Sequence, residues 1–346
     1  MTTKGIYIYG IIPNFYSTEM FRLLEDSGVY AISFQNISAI VSDRDSKYLN
    51  YLDRESLGHL LVHHQKTIED IMGKGFTMIV PMQLGTIVSS KKEVIKILAN
   101  GYDLIMDILK KIEYLTEIDI VVTYDNFPGI LKDISNHPDI IAMKEDILKK
   151  TDTLSQIDQV KVGMLVQEKL KEKNKKVEMN ILDSLSPISL DIKTHDVMND
   201  EMVTNSAFFI NRNKKEKFEQ VIDQLDEEYK GLLNFKLVGP LPCYSFYTLE
   251  IIKLNPELVT QAKTEFELKE ETSESEIKKA YLEKAKLFHP DANLENFNQE
   301  NFNKINDAYH TLLDYSLAAR QASDDGLIPL TKEKVVENLI LVKVKE

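Results

Sequence analysis

Gly5-Ile-Tyr-Ile-Tyr-Gly-Ile-Ile-Pro13 opens the chain with a run of β-branched and aromatic residues, and Pro13-Asn14 closes it. Such a run, bounded by turn residues, predicts a buried strand. Outward from it, residues 17–27 carry a helical pattern with Ser17 as a candidate N-cap. Two short strands are expected around Tyr30–Phe34 and Ala39–Val41, with Asn36 at the turn between them. Leu57, Leu60, Leu61, Ile68, Ile71 and Met72 predict a helix over residues 53–73. Met78-Ile-Val-Pro81 reads as a strand, Ser89–Leu115 as one long amphipathic helix, and Asp119–Tyr124 as a further strand. The order predicts an α+β domain with a largely antiparallel sheet, ferredoxin-like in arrangement.

The middle third has a helical pattern over residues 156–186, with Pro187 near its end. The charge run Gln167–Lys176 within it suits a solvated helix face. Phe208–Asn211 reads as a strand, Lys214–Tyr229 as a helix with Phe218, Val221, Ile222 and Leu225 on one face, and Phe235–Val238 and Tyr247–Ile252 as strands around Gly239-Pro-Leu-Pro. This is a second α+β unit. Residues 256–317 are helical and polar. Glu337-Asn-Leu-Ile-Leu-Val-Lys-Val-Lys345 alternates like a strand, so it is expected to return to a sheet of an earlier domain. The expected division is 1–127, 128–255, a small all-helical module over 256–325, and a returning strand within 326–346.

At 346 residues the chain exceeds what one core usually supports. Its hydrophobic share of 43% and charged share of 28% are those of a globular protein. A net charge of −13 argues against binding to nucleic acid or to anionic membrane surfaces. The lone cysteine, Cys243, permits no intramolecular disulfide and suits a reducing compartment. The first residues run straight into a strand and lack a signal-peptide pattern. No apolar run reaches the roughly 20 residues needed to span a bilayer. A cytoplasmic location is expected.

His289-Pro290-Asp291 is the most specific local signal. Ile277, Tyr281, Ala285 and Phe288 precede it at helical spacings of four, four and three. Lys278, Lys279, Lys284 and Lys286 are expected on the opposite side. Ser273 and Glu276 have the spacing of a capping box. After the tripeptide come a loop and a second amphipathic pattern, Phe302, Ile305, Tyr309 and Leu312. A second copy, His137-Pro138-Asp139, has no basic helix before it and reads as a loop with a proline turn.

Two amphipathic helices joined by a loop bearing His-Pro-Asp resemble helices II and III of a J domain, over roughly Leu258–Leu313, with Glu257–Leu268 as the first helix. The resemblance implies that His289, Pro290 and Asp291, with Lys278, Lys279, Lys284 and Lys286, contact a DnaK-type chaperone. Ala292, where many members carry Lys, and Glu283 depart from the pattern. A helical hairpin kept only for its shape would fit the same residues.

Residues 5–252 resemble the GvpF/GvpL family of gas vesicle proteins. Three segments carry the likeness: the opening strand; Val80-Pro-Met-Gln-Leu-Gly-Thr-Ile-Val88, similar to the family's Pro-Met-Arg-Phe-Gly-Thr; and Val238-Gly-Pro-Leu-Pro-Cys-Tyr-Ser-Phe246, similar to Gly-Pro-Trp-Pro-Pro-Tyr-Ser-Phe. Gln83, Leu84, Leu241 and Cys243 are the departures. The resemblance implies an assembly accessory protein that binds the hydrophobic shell subunit and works with other gas vesicle accessory proteins, with a DnaK-type chaperone as a further partner. A general J-domain co-chaperone for unrelated clients is the alternative.

Catalysis is not expected, and neither is a cofactor. Cys243 lies between Pro242 and Tyr244 with no His nearby in sequence, which suits a structural thiol. His59 and His63 have the i, i+4 spacing of a zinc pair, but no third ligand stands out, so a solvated or capping role is expected for His59, His63 and His64. No Gly-rich phosphate loop is present. An enzyme would need a site formed only by the fold.

Overall fold

The computed structural model describes residues 4–14, 20–24, 28–45, 53–149, 155–288, 299–322 and 326–345. The chain forms two compact units, Met1–Lys111 with Tyr247–Glu346, and Ile112–Phe246.

In the first unit, β1 (Lys4–Pro13), β2 (Met20–Leu24), β3 (Val29–Phe34), β4 (Ile37–Asp45) and β5 (Val80–Pro81) lie in the order β2-β3-β4-β1-β5, and β6 (Ile87–Val88) also pairs with β1. β1 is an interior strand, with β4 on one side and β5 and β6 on the other, and Tyr7 through Ile12 are buried along it without alternation, as a strand covered on both faces requires. Gly10 is needed there, because a Cβ would stand 2.9 Å from Ile79 Cγ2 and 3.0 Å from the Val80 carbonyl oxygen. The helix α1 (Arg54–Gly73) forms as expected, capped by Asp53, whose side chain accepts from the Ser56 amide.

Two expectations fail in this unit. Residues 20–24, within the segment expected to be helical, form β2 against β3. Good helix formers become a strand because an open sheet edge offers them a partner, a tertiary effect that outweighs local propensity. Ser17 lies outside the described residues. The long helix expected over Ser89–Leu115 is two helices, α2 (Lys91–Asn100) and α3 (Tyr102–Ile112), and the residues from Leu115 onward are strand. The break falls at Gly101, where a Cβ would stand 2.9 Å from Val342 Cγ1 and 3.0 Å from Ile105 Cδ1.

The second unit contains β7 (Leu115–Tyr124), α4 (Phe127–Ser135), α5 (Pro138–Leu148), α6 (Gln156–Leu185), β8 (Ser189–Thr194), β9 (Met202–Asn211), α7 (Lys215–Glu228), β10 (Leu233–Leu241) and the single turn α8 (Tyr244–Tyr247). Its sheet runs β10-β7-β9-β8 with every neighbouring pair antiparallel. This strand order, with helices in both crossovers, is the β-α-β-β-α-β arrangement expected nearer the N-terminus. β7, read as the last strand of the first domain, is a central strand here. Ile118, Ile120 and Val122 of β7 pack with Phe208 and Ile210 of β9, Ile181 and Leu185 of α6, and Phe218, Ile222 and Leu225 of α7.

The stretch around His137 is helical, not a loop. His137 caps α5, its Nδ1 accepting from the Asp139 amide at 3.3 Å, and Pro138 takes the first helical position, where its missing N–H costs nothing. Lys169 of α6 then pairs with Asp139 at 3.0 Å.

The chain re-enters the first unit at β11 (Leu249–Lys253). α9 (Pro256–Glu265), β12 (Glu271–Thr272), α10 (Glu274–Phe288), α11 (Gln299–Ala322), β13 (Ile328–Pro329), α12 (Lys332–Glu337) and β14 (Ile340–Val344) follow. β14 is the returning strand and pairs antiparallel with β11, Ile251 opposite Val342. Asn100 Nδ2 of α2 donates to the Ile340 carbonyl at 2.8 Å, which ties the strand to the front of the chain. No helix among the described residues is long and apolar enough to cross a membrane.

Candidate functional site

The helical module is assembled by local signals. Asn255 caps α9 by accepting from the Glu257 amide at 2.8 Å, with Pro256 at the first position. The expected capping box closes α10: the Ser273 amide donates to Glu276 Oε2 at 2.9 Å, and the Glu276 amide donates back to Ser273 Oγ at 3.3 Å. The Ser273 amide, with the hydroxyls of Thr272 and Ser273, donates to the ionised carboxyl and holds Glu276 below its ordinary pKa. Val259 and Ala262 of α9, Ile277 of α10, and Ile305, Leu312 and Tyr315 of α11 form one core. Tyr281 stacks on Tyr309 with ring centroids 4.1 Å apart, and its hydroxyl donates to Asn306 Oδ1 at 2.8 Å.

Lys278, Lys279 and Lys286 share one exposed face of α10, within about 100° of arc. Leu282, 47% exposed, lies among them and was not expected in the face. Lys284 does not join them. It is about 240° round the helix from Lys278, half-buried, and its Nζ meets Glu267 Oε1 at 3.4 Å. Its charge serves a contact inside the module. His289, Pro290, Asp291 and Ala292 lie outside the described residues, as does the side chain of Phe288.

α11 runs beyond Leu313, where the recognisable pattern ends, to Ala322. The extra turns continue the apolar spacing: Tyr315, Ala318 and Ala319 are buried. Gln321 then meets β14 twice: Nε2 donates to the Val342 carbonyl at 2.6 Å, and Oε1 accepts from the Val342 amide at 3.1 Å. Near α10, Arg320 reaches Glu274 at 3.0 Å. β12 pairs with β13, which joins the α9–α10 connection to the segment after α11. The module is therefore hydrogen-bonded to β14, the strand that α2 also meets.

The three signature segments have structural partners. Tyr7 Oη accepts from the Gly85 amide at 3.2 Å and shares a hydrogen bond with His64 Nδ1 at 2.8 Å, joining the first two segments to α1. Tyr9 Oη meets His63 Nε2 at 3.2 Å and Ser42 Oγ at 3.0 Å. Burial, then the charge of His63, lowers the His64 pKa to about 4. His64 is thus a buried member of a network in the fold, not the solvated or capping residue expected, whereas His63 meets Tyr9 from an exposed position on α1. His59 is exposed beside Glu55 at 3.9 Å. No group of three or more His, Cys, Asp or Glu among the described residues is placed to hold a metal ion. Cys243 is buried, and burial followed by the charge of Glu117 raises its thiol to about 12, which leaves it protonated and weakly nucleophilic.

Comparison with known proteins agrees with this anatomy. The family model described as gas vesicle synthesis protein GvpL/GvpF matches residues 5–248, and the DnaJ domain model matches residues 265–320. The chain is 22% identical over 247 residues to gas vesicle protein F of Nostoc sp., covering 70% of this chain and 98% of that protein. Against gas vesicle protein F of Dolichospermum flosaquae it is 24% identical over 248 residues, covering 71% and 98%. Chaperone protein DnaJ 1 of Aquifex aeolicus is 46% identical over 44 residues, 13% of this chain and 12% of that protein. The crystal structure of GvpF from Anabaena sp. superposes with a TM-score of 0.58 at 21% identity, covering 71% of this chain and 98% of that one. That of GvpF from Microcystis aeruginosa gives 0.56 at 19% identity, covering 70% and 99%. The matches span nearly the whole length of the F proteins, so the DnaJ region is an addition that these relatives lack. This chain belongs to the GvpL/GvpF family of gas vesicle synthesis proteins and carries a DnaJ domain near its C-terminus.

Proposed function

We propose that the protein is a cytoplasmic gas vesicle assembly factor that holds the hydrophobic shell subunit and recruits a DnaK-type chaperone through its J-like module. It works through surfaces, without catalysis. Family membership supports the gas vesicle role. The observation that carries the chaperone role is a DnaJ domain folded into the same compact unit as the N-terminal sheet. A subunit with exposed apolar surface aggregates unless that surface is held until it joins the shell. A holder with a built-in chaperone contact meets that need. Lys278, Lys279 and Lys286 would orient an acidic partner surface, and His289, Pro290 and Asp291 would complete the contact.

The test uses the full chain, with shell subunit as bait and DnaK ATPase as the second readout. Retention on the bait and stimulated ATP hydrolysis are expected, with His289→Gln abolishing stimulation while leaving shell binding intact. Stimulation without shell binding would favour a general co-chaperone for unrelated clients. A protein that neither binds the subunit nor stimulates the ATPase would refute the proposal.

A further inference from the structure

Glu117 and Asp119 stand two residues apart on β7, so both side chains leave the same face of the sheet. Glu117 is 1% exposed. Both of its oxygens are engaged by one residue far along the chain: Ser245 Oγ donates to Oε1 at 2.8 Å and the Ser245 amide to Oε2 at 2.9 Å. Asp119 is half-buried, and its Oδ1, shut off from solvent, has no hydrogen-bond partner. Two carboxylates this close and this dry cannot both ionise at ordinary cost.

The segment bearing Ser245 is packed onto the same place. Thr116 Oγ1 donates to the Leu241 carbonyl at 3.1 Å. Phe246 stacks on Phe209 with centroids 4.9 Å apart, and Lys193 Nζ lies 5.7 Å from the Phe246 ring centre. A Cβ on Gly239 would stand 3.0 Å from the Glu117 carbonyl oxygen, so the turn runs directly against the strand. This is the third signature segment, and it is also where the chain leaves the second unit.

We propose that Glu117 and Asp119 share one proton, and that this proton keeps Leu241–Phe246 latched on the sheet, so that losing it releases the segment.

The charged and titratable groups around the pair are few. From the chain after β8, His195 Nε2 meets Ser245 Oγ at 3.0 Å. From β8, Lys193 faces Phe246. After β9, Arg212 Nε donates to the Leu115 carbonyl at 3.0 Å. The latched segment itself contributes Cys243. The directly opposed neighbours Phe209, Ala207, Val238 and Leu241 bring no charge, whereas Lys236 of β10, paired with Val121, and Asp191 of β8, paired with Phe209, are the charged residues next along the same face. Burial, followed by the charge of Asp119, raises Glu117 to about 8, and burial also raises Asp119. The proton belongs to the pair and not to either residue.

The direction of the pH effect follows. The closed segment keeps the proton up to about pH 8, whereas an open, solvated Glu117 would lose it near the ordinary 4.5. Opening is therefore accompanied by proton release between those limits, and the opening constant rises with pH by at most about tenfold per unit. Above the upper limit it levels off.

Amide hydrogen exchange of peptides spanning 239–247, read by mass spectrometry on the full chain and corrected for intrinsic exchange, measures opening. Protection in the parent should fall severalfold from pH 6 to 8 and then plateau. Asp119→Asn leaves one carboxylate held by Ser245 and removes the second charge; burial still raises Glu117, so the slope should weaken and its plateau begin at lower pH, while protection stays high. Glu117→Gln should also flatten the slope, with weaker protection. A parent that shows no slope, or an Asp119→Asn protein that keeps the parent's slope, overturns the proposal.

Discussion

Gln321→Ala removes the two hydrogen bonds by which α11 holds β14. Val342 is fully buried, and its carbonyl and amide are both met by the Gln321 amide, at 2.6 and 3.1 Å. Truncation leaves a buried donor and a buried acceptor without partners, each costing roughly 1–3 kcal/mol, and water admitted to the gap recovers part of it. A net loss of about 2–4 kcal/mol is expected, which approaches a third of the stability of an ordinary domain. Gln321→Met keeps most of the volume and should lose nearly as much, because the hydrogen bonds and not the packing are removed. Urea unfolding followed by circular dichroism reads the midpoint, and limited proteolysis reads the ends of α11 and β14. Loss of β14 contacts should expose α2 and the J-like module together, since both pack on that strand. For this reason excision of residues 256–325 should disrupt the N-terminal sheet as well. If Gln321→Ala unfolds within about 0.5 kcal/mol of the parent, or the module melts apart from the rest of its unit, the claim that the J-like region is built into that unit is wrong.

The exposed face of α10 should respond to charge reversal position by position. Lys278→Glu, Lys279→Glu or Lys286→Glu should weaken DnaK stimulation and reduce its salt dependence, whereas Lys284→Glu should affect thermal stability more than stimulation; equal effects at all four would contradict the observed orientation. His64 is buried and its pKa is lowered to about 4 from 6.5, so the unfolded chain takes up a proton first as the solution is acidified. Stability from this residue is present above pH 6.5 and is lost towards pH 4, by at most about 3 kcal/mol. His64→Gln, which can still accept from Tyr7, should flatten that part of the acid unfolding profile; an unchanged profile would clear His64 of the effect. Gly10→Ala would push a methyl group to 3.0 Å from the Val80 carbonyl oxygen, and should cost about 1–3 kcal/mol in chemical denaturation; a neutral outcome would mean that β5 moves aside freely.

Local chemistry made much of this protein legible from its residues alone. Six of the eight residues of Gly5–Ile12 are β-branched or aromatic, the composition of a buried strand. Ser273 and Glu276 announce the start of α10, and Ile277, Ile305 and Leu312 mark the core face of the module, because caps and helical periods are properties of neighbouring residues. Motifs carried the family and the DnaJ domain for the same reason. Partners distant in sequence were decided only by the tertiary structure. Residues 20–24 became a strand because β3 offered an edge, and the helix expected over Ser89–Leu115 broke at Gly101 against Val342. β7 joined the second sheet through strands formed some 80–120 residues later. Lys284 turned away from its fellow lysines because a helix distributes charges by angle and Glu267 was within reach. Glu117, unremarkable in sequence, became a buried carboxyl because Ser245, 128 residues on, folds back over it. Local conformation is set by the order of residues, whereas pairing and burial depend on which segments meet.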